Sequence, residues 1–188
     1  MRLFVAFDIP EEVRAAMAVV AAKLQNVCAS ARWVRLEGAH VTLKFIGEAP
    51  AGKVDGIKTA LAGMPFPSAF KILYRGVGFF PHERRPQVLW AGIEAGPELR
   101  ALAEAVESSL EPLGIARERR EFSPHVTLAR FKSPGDLAEL RSAIAAAGAL
   151  EFGQSTPTEF HLYQSVLKPG GAEYTRLATF GSKGSAAS

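Results

Sequence analysis

The tetrapeptide His40-Val41-Thr42-Leu43 occurs a second time, unchanged, as His125-Val126-Thr127-Leu128. The copies lie 85 residues apart, and they are the only internal repeat that we find in the sequence. Side chains alternate between the two faces of a β-strand, so His and Thr point one way while Val and Leu point into a core. Each copy therefore presents an imidazole beside a hydroxyl on a strand anchored by its own apolar residues.

Two lobes packed about a pseudo-twofold axis would bring the two His-Thr pairs to one cleft. Facing histidines can divide acid and base roles, because an unperturbed pKa of about 6.5 lets one ring be neutral while the other is protonated. Threonine hydroxyls can donate hydrogen bonds to the non-bridging oxygens of a phosphate. The repeat thus favours in-line displacement at a phosphodiester, with one histidine removing a proton from water and the other protonating the leaving oxygen.

Other kinds of site fit the sequence less well. A single histidine on a strand is more often structural than catalytic, so the functional interpretation depends on the repetition of the whole tetrapeptide. Neither copy is surrounded by Cys, His, Asp or Glu at ligand spacing, so we expect no metal. Serine and cysteine are not found in a nucleophile context such as Gly-x-Ser-x-Gly. The one cysteine, Cys28, lies in an apolar, alanine-rich stretch and is interpreted as a packed side chain.

The 188-residue chain is long enough for one domain or a single body of two lobes. With 48% hydrophobic and 22% charged residues, its composition excludes a disordered, collagen-like or disulfide-stapled protein. The single cysteine and the lack of a signal peptide or membrane span in the sequence favour the cytoplasm and no membrane partner. The net charge of +3 hints at an anionic partner, and residues 117–132 hold five basic side chains against two acidic ones.

Hydrophobic periodicity and turn residues predict strands and helices without regular β-α-β alternation. Strands are expected at 3–9, 32–35, 40–46, 69–77, 87–93, 125–128, 159–167 and 173–180. Helices are expected at 10–25, 51–62, 98–113 and 134–147. This order favours an α+β fold with antiparallel sheets over a doubly wound parallel sheet. We expect one bilobal domain over residues 1–180 and a flexible Gly, Ser and Ala tail at 181–188.

The two motifs resemble those of the two-histidine phosphoesterase superfamily. Their longer context is similar to its bacterial and archaeal RNA 2′,3′-cyclic phosphodiesterases, historically called 2′-5′ RNA ligases. The resemblance runs nearly from end to end of the chain. It is carried by the segments 2–8, 33–34, 40–48, 85–92, 122–130, 162–165 and 171–174.

The resemblance implies a bilobal fold with two antiparallel sheets and flanking helices around a central cleft. It also implies hydrolysis of a 2′,3′-cyclic phosphate to a 2′-phosphomonoester, with no required metal or cofactor. By the motif match, His40 is the expected general acid and His125 the expected general base. Thr42 and Thr127 are expected to bind the phosphate.

The match also makes Arg130 a phosphate contact, but strand geometry complicates this expectation. In a flat strand Arg130 would point away from His125, so the role requires the strand to end or bulge at Ala129. The basic stretch around His125 supports its role as base, because nearby positive charge lowers the pKa of a histidine.

Two residues beside the first motif have alternative interpretations. Phe45 has the parity of Val41 and Leu43 and is predicted to pack in the core at least as readily as to stack on a base. Lys44 shares the face of His40 and would either add positive charge at the cleft rim or be exposed to solvent. We interpret the remaining candidates as structural or solvated residues: His82, His161, Arg84, Arg85, Trp33 and Trp90. For the two arginines, a role in guiding RNA phosphates is left open.

Three functions remain open at this point. Hydrolysis of a cyclic phosphate and its reversal, which joins RNA ends through a 2′-5′ linkage, use the same residues because acid and base exchange roles. A non-catalytic module that grips a terminal phosphate is disfavoured, since a binder would tolerate loss of either imidazole. We expect RNA ends or cyclic nucleotides as partners and a monomeric protein.

Overall fold

The computed structural model describes residues 1–67, 69–82, 85–132, 137–169 and 171–181. Within these ranges the strands are β1 (Arg2–Asp8), β2 (Arg32–Trp33), β3 (His40–Glu48), β4 (Ile72–Phe80), β5 (Val88–Ala95), β6 (His125–Arg130), β7 (Glu151–Ser155), β8 (Glu159–Lys168) and β9 (Gly171–Gly181). The α-helices are α1 (Glu11–Val27), α2 (Val54–Ala62), α3 (Pro97–Leu110) and α4 (Ala138–Ala146).

The strands form two antiparallel sheets, and the predicted α+β class is confirmed. The first sheet has the order β3-β1-β8-β9, and the second sheet has the order β2-β6-β5-β4-β7. The repeated tetrapeptides begin β3 and β6, so each sheet carries one copy. Strand β3 is the edge of the first sheet, while β6 is separated from the edge of the second sheet only by the two-residue strand β2.

The helices connect the two lobes in a crossed arrangement. Helix α1 follows β1 of the first sheet but packs on β7 of the second sheet and on α4. Helix α3 follows β5 of the second sheet but packs on β3 of the first sheet and on α2. Leu99, Leu102, Val106 and Leu110 form the buried face of α3, at the predicted helical spacing. Buried residues from both sheets therefore form one main hydrophobic core.

Strand β1 is buried on both of its faces, for two different reasons. Leu3, Val5 and Phe7 alternate into the main core. Phe4 points to the opposite face, where it forms a separate small cluster with Tyr163 of β8 and the intervening Ala6. This second face of the first sheet is the one that carries the first motif's histidine, since Asp8 is paired with His40.

A β-bulge occurs at the last residue of each tetrapeptide. In β3, the pairing with β1 skips Leu43, and in β6 the pairing with β5 skips Leu128. A bulge inserts one extra residue, so the alternation of side chains is reset beyond it. The two residues that follow each bulge, 44–45 and 129–130, therefore point to the faces opposite those expected for a flat strand.

Some element boundaries differ from the prediction. Strand β7 was not predicted, because Glu151–Ser155 contains one large apolar side chain, Phe152, and a glycine; its pairing with β4 supplies the missing stabilisation. Gly47, predicted to end β3, adopts a φ of 81° and lies in a second bulge after which the strand continues to Glu48. Strand β4 occupies 72–80 rather than 69–77, as its pairing with β5 requires.

The remaining differences lie near undescribed segments. Helix α4 begins at Ala138, and the predicted start signals at 133–136 lie outside the described residues. Strand β9 includes Gly181, the first residue of the predicted tail, and the rest of that tail, residues 182–188, lies outside the described residues. The predicted helices at 51–62 and 98–113 are each completed by a short 3-10 turn, at 51–53 and 111–113.

Candidate active site

The two motif strands meet where the sheets face each other. Strands β3 and β6 are in contact, and His40 and His125 are their first residues. The two imidazoles are close enough to interact electrostatically, because a charge on His125 lowers the pKa of His40. We call the space that these rings face the cleft.

Both histidine rings are oriented by the same local hydrogen bond. Nδ1 of His40 donates to the carbonyl of Gly38, and Nδ1 of His125 donates to the carbonyl of Ser123, each at 2.8 Å. Each carbonyl belongs to the residue two positions before its histidine, in the segment that leads into the strand. Since a carbonyl oxygen can only accept, the proton of each neutral ring is held on Nδ1 and the lone pair is held on Nε2.

Burial and neighbouring charges act on the pKa of both histidines. Burial lowers the pKa of each ring below its ordinary value, and this is the largest effect on both. The carboxylate of Asp8 opposes the decrease at His40, whereas the guanidinium of Arg130 adds to it at His125. Among the neighbouring charges, Asp8 thus favours a proton on His40, a charge on His125 opposes it, and Arg130 favours a neutral ring at His125.

The predicted phosphate ligands lie on the same faces as the histidines. Thr42 and Thr127 are half-buried, two residues beyond each ring, and their hydroxyls have no hydrogen-bond partner among the described residues. Arg130 is paired with Val88 of β5, and Thr127 is paired with Trp90 of the same strand. Because Val88 and Trp90 are two residues apart, their side chains point to the same face of the sheet. The bulge therefore brings Arg130 to the face of Thr127.

The bulge that reorients Arg130 was expected at Ala129 and occurs one residue earlier, at Leu128. The shift of Arg130 to the face of Thr127 is nevertheless what a role in phosphate binding requires. Leu128 and Ala129 are both fully buried, and Arg130 is exposed. Within the described ranges, its guanidinium forms no ion pair.

The bulge at Leu43 overturns two expectations about the residues that follow it. Phe45 is not in the core: it is 60% exposed and lies on the cleft face, opposite Phe4. Lys44 is neither at the rim nor in solvent, because it is 4% exposed and its Nζ lies 2.6 Å from a carboxylate oxygen of Glu107 in α3. The parity argument failed at both positions for the same reason, since a bulge exchanges the faces of all later residues.

Aromatic rings surround His40 on the cleft face of the first sheet. The ring of Phe4 stacks on the imidazole with centroids 4.6 Å apart, and the ring of Tyr163 lies 5.2 Å from Phe4 and 6.2 Å from His40. Tyr174 of β9 contacts His40 edge-on at 5.0 Å and is 40% exposed. Sequence reasoning did not identify these residues. Phe4 could have been found from its position in β1, where it alternates with Leu3 and Val5 and so points away from the main core. Tyr174 lies in a segment that carries the family resemblance, but nothing in its sequence neighbours indicates that it contacts His40.

Behind these rings lies a polar network centred on Asp8. The hydroxyl of Tyr163 donates to Asp8 at 2.5 Å, and Arg176 of β9 donates to the other carboxylate oxygen at 2.5 Å. Burial raises the pKa of Tyr163 to about 12, so its hydroxyl remains a donor. The hydrogen bonds from Tyr163 and Arg176 hold Asp8 in place, and the carboxylate of Asp8 raises the pKa of His40.

The surroundings of His125 are also aromatic, but they enclose a pocket. Phe80 meets His125 edge-on with centroids 5.0 Å apart and lies 5.2 Å from the indole of Trp90. These rings and the segment before β6 line a pocket of about 370 Å³ that includes His125. Trp90 was predicted to be a packing residue, and its place in this wall was missed.

The other candidates are packed or exposed side chains, apart from Arg84, which lies outside the described residues. His161 is 2% exposed and is hydrogen-bonded to Thr179, as expected of a structural histidine. His82 and Arg85 are exposed, and Arg84 lies outside the described residues. Cys28 is buried and Trp33 donates to its carbonyl, in agreement with packing roles.

Two searches of the described ranges gave no candidate. No three His, Cys, Asp or Glu side chains come together there as a possible metal site. No helix in that part of the chain is long and apolar enough to span a membrane.

Known proteins share both the sequence pattern and the fold. The family model of the 2′-5′ RNA ligase superfamily matches residues 9–168. An RNA 2′,3′-cyclic phosphodiesterase of Archaeoglobus fulgidus is 34% identical over 180 residues, which cover 96% of this chain and 99% of that protein.

Solved structures agree over the same length. A crystal structure of a Thermus thermophilus protein superposes with a TM-score of 0.80 at 34% identity, covering 96% of this chain and 97% of that one. Escherichia coli LigT, crystallised with 3′-AMP, superposes with a TM-score of 0.78 at 28% identity and the same coverage. Because the family model and the relatives match over most of its length, the chain belongs to the 2′-5′ RNA ligase superfamily.

Proposed function

We propose that the protein is an RNA 2′,3′-cyclic phosphodiesterase that opens the cyclic phosphate to a 2′-phosphomonoester by acid-base catalysis between His40 and His125. The observation that carries the proposal is the matched pair of imidazoles, each fixed at Nδ1 and each with Nε2 left for the cleft. The names of the relatives support the substrate class, and the 3′-AMP bound by LigT supports a nucleotide ligand.

Thr42, Thr127 and Arg130 bind the phosphate in this proposal. The two hydroxyls donate to the non-bridging oxygens from opposite lobes. The guanidinium adds a charge-assisted contact on the His125 side. Because these donors are held by buried strands before substrate arrives, they stabilise the charge that develops on phosphorus at little cost of reorganisation.

The proton transfers follow from the requirement for in-line displacement. A 2′-phosphate product forms when O3′ leaves, so the general acid stands by O3′ and the base stands by a water on the opposite side of phosphorus. His40 donates its proton to O3′, and His125 removes a proton from the water. The charges beside each ring support this division, because Asp8 favours the protonated form of His40 and Arg130 the neutral form of His125.

The base of the nucleoside that carries the cyclic phosphate stacks on the first sheet. Phe45 and Tyr174 are the exposed aromatic residues on the face of His40, and they flank the buried ring of Phe4. Aromatic side chains are sequence-tolerant partners for unpaired bases. In this proposal the ribose, with its leaving O3′, lies on the His40 side of the phosphorus.

The activity is tested with a short RNA that ends in a 2′,3′-cyclic phosphate, incubated with the protein in chelator. We expect a 2′-phosphate product, because the acid and base are side chains of the protein and the reaction needs no metal. Activity that chelator abolishes and a divalent ion restores would contradict metal independence. Binding of the RNA without turnover would instead support a non-catalytic end-binding module.

A substrate whose O3′ is replaced by sulfur tests the two roles, because a thiolate leaves with little need of protonation. It should restore turnover to His40→Ala and leave His125→Ala inactive. The opposite pattern would reverse the assignment.

A further inference from the structure

The cleft face of the first sheet carries its side chains in rows that run across the strands. One row pairs Asp8 with His40, and another pairs Phe4 with Phe45. The pairing of β1 with β8 is regular over residues 2–6, so the side chain of Arg2 points to the same face as that of Phe4. Two residues along a strand span about 7 Å, so the row of Arg2 lies that far beyond the row of Phe4.

The row of Arg2 borders the aromatic surface of this face. Its other members come from the three remaining strands of the sheet: Glu48, Ser165 and Tyr174. Tyr174 is exposed, and its ring centroid lies 5.3 Å from that of Phe4 and 5.0 Å from that of His40. A nucleoside stacked on these rings, as in the proposed function, therefore lies between His40 and Arg2.

The guanidinium of Arg2 is available to an anion. Arg2 is exposed and has no hydrogen-bond or ion-pair partner among the described residues. Glu48, which is opposite Arg2 in the ladder, is instead 3.3 Å from the amino group of Met1. Arg176, an arginine on the same face, is already paired with Asp8. Arg2 thus differs from Arg176 in having a positive charge that no carboxylate of the described residues neutralises by contact.

The covalent structure of the proposed substrate indicates which anion Arg2 meets. A nucleoside whose 2′ and 3′ oxygens hold the cyclic phosphate has two further substituents, the base at C1′ and the oxygen O5′. With the cyclic phosphate at His40 and the base on Phe45 and Tyr174, O5′ carries the next phosphate one ribose away from the reacting phosphorus. In RNA this phosphate joins the terminal nucleotide to the preceding one and has a negative charge.

We propose that Arg2 binds the phosphate on O5′ of the terminal nucleotide, so that the protein distinguishes the end of an RNA chain from a cyclic mononucleoside phosphate. The inference rests on the proposed function and adds a specificity-determining residue to it. A guanidinium matches the geometry of phosphate oxygens and keeps its charge at every working pH. Because Arg2 lies outside the reacting centre, its contact lowers KM and takes no part in the proton transfers.

An arginine of the second sheet supplies the matched control. Arg32 of β2 is exposed, has no ion-pair partner among the described residues and is paired with Arg130 in the ladder. It belongs to the lobe of His125, where the proposed function places the attacking water. A nucleoside bound in the opposite direction would bring its O5′ phosphate toward Arg32, so the two arginines distinguish the two orientations.

The test compares three substrates that have the same reacting group. They are adenosine 2′,3′-cyclic phosphate, the same nucleotide with a 5′-phosphate, and the dinucleotide ApA that ends in a 2′,3′-cyclic phosphate. In wild-type protein, kcat/KM should be about 10-fold higher for each of the two 5′-substituted substrates, the effect of one charge-assisted contact. This gain should appear in KM and should shrink with rising salt, because Arg2 is exposed.

The variants assign the gain to one side chain. Arg2→Ala should remove it for both 5′-substituted substrates and leave kcat/KM for adenosine 2′,3′-cyclic phosphate unchanged. Arg2→Lys should retain part of the gain, because the charge is kept while the bidentate contact is lost. Arg32→Ala should keep the full gain. Since the gain is a ratio measured on one preparation, partial misfolding of a variant cancels.

Four results would overturn the proposal. The first is equal kcat/KM for the three substrates in wild-type protein. The second is a gain that persists in Arg2→Ala. The third is a gain that Arg32→Ala removes, which would place the 5′ side of the substrate on the second sheet. The fourth is a gain for the 5′-phosphorylated mononucleotide without one for the dinucleotide, which would contradict recognition of an RNA chain.

A binding measurement separates failure of the Arg2 site from failure of the proposed function. Isothermal titration compares adenosine 2′,5′-bisphosphate with adenosine 2′-phosphate, which both lack a cyclic phosphate. Wild-type protein should bind the bisphosphate about 10-fold more tightly, and Arg2→Ala should bind the two ligands equally. Equal binding by wild-type protein would overturn the Arg2 site even if hydrolysis is observed. Tighter binding that depends on Arg2, without any hydrolysis of cyclic ends, would contradict only the proposed function.

Discussion

At the scale of single residues, His40 and His125 have the same Nδ1 restraint but different neighbours. The carbonyls of Gly38 and Ser123 orient the two rings alike. Burial lowers the pKa of both rings, and against this common effect Asp8 raises the pKa of His40 while Arg130 lowers that of His125 further. Environment, rather than residue type, assigns acid and base in such a pair.

Removing either imidazole should slow hydrolysis by about 10²- to 10⁴-fold, the usual contribution of a general acid or base. His40→Ala and His125→Ala should each show this loss in kcat/KM. The double variant should be little worse than the poorer single one, because acid and base act in one step. Losses that multiply would show that the two residues work separately.

The pH profile of kcat/KM should be bell-shaped, and Asp8→Asn should move only its alkaline limb. The negative charge of Asp8 raises the pKa of His40, so its removal lowers that pKa. His40 must be protonated to act as acid, and activity is lost as pH rises through its pKa. The alkaline limb should therefore move to lower pH while the acidic limb, set by His125, stays. Tyr163→Phe, which keeps the charge of Asp8, is the control; movement of the acidic limb instead would reverse the roles.

Phe45→Ala should weaken substrate use without weakening the fold. The side chain is 60% exposed, so the free energy of unfolding should change by less than about 0.5 kcal/mol. Loss of a stacked base should lower kcat/KM for the cyclic mononucleotide by about 5- to 150-fold. Val19→Ala, on an equally exposed position of α1, serves as the control. A large loss of stability with unchanged kinetics would instead show that Phe45 has a packing role in the core.

At the scale of elements, the bulge at Leu43 or Leu128 divides each motif strand into two parts that present different side chains to the cleft. Before Leu43 and Leu128, each strand presents a histidine and a threonine to the cleft. Beyond the bulges, equivalent positions present Phe45 in one lobe and Arg130 in the other. The pseudo-twofold relation thus extends past the tetrapeptides, but the lobes differ there, because one presents an aromatic ring and the other a guanidinium.

The bulge of β3 also directs Lys44 into an ion pair that joins β3 to α3. The pair with Glu107 is nearly buried, with side chains 3% and 13% exposed. Lys44→Met should destabilise the protein by about 3–5 kcal/mol in urea unfolding, because it leaves a buried carboxylate without its partner. Lys44→Met/Glu107→Leu should recover most of this loss.

The matched control is Lys168→Met, which removes an exposed pair with Glu173 of the same 2.6 Å length. It should cost less than about 1 kcal/mol. Equal effects of the two lysine substitutions would show that burial of the Lys44 pair does not matter to stability.

At the scale of the whole molecule, the crossed helices argue for one cooperative unit. Helix α1 leaves the first sheet and covers the second, and α3 does the reverse, so each sheet is packed against a helix that follows a strand of the other. The main core includes buried residues of both sheets.

We therefore predict a single unfolding transition, although the chain exceeds the length at which two-state behaviour is usual. Native-state hydrogen exchange should give the same opening free energy for β1 amides of the first sheet and β5 amides of the second. Adenosine 2′-phosphate, the expected type of product, should raise the transition temperature as one step. Separate transitions, or protection that differs by several kcal/mol between the sheets, would mean that the lobes are independent domains.

The sequence by itself determined the α+β class, most of the helices and strands, and both halves of the candidate site. These features depend on local patterns: apolar spacing along α3, alternation in β1, and a tetrapeptide repeated without change. Such patterns are readable because hydrophobic periodicity and strand alternation are properties of neighbouring residues. The match of motifs also indicated the family that the comparisons confirm.

Only the tertiary structure decided which way the residues beyond the motifs point and what lies beside each histidine. A bulge is fixed by the register of the neighbouring strand, so parity alone misplaced Phe45 and Lys44 and left Arg130 dependent on an irregularity. Asp8, Tyr174 and the pocket at Trp90 reach the cleft through pairings between distant segments. Of the two charges that distinguish the identical imidazoles, Arg130 lies on the same strand as His125, whereas Asp8 reaches His40 only through the pairing of β1 with β3. The second neighbour is distant in sequence, so the repeat alone could not show it.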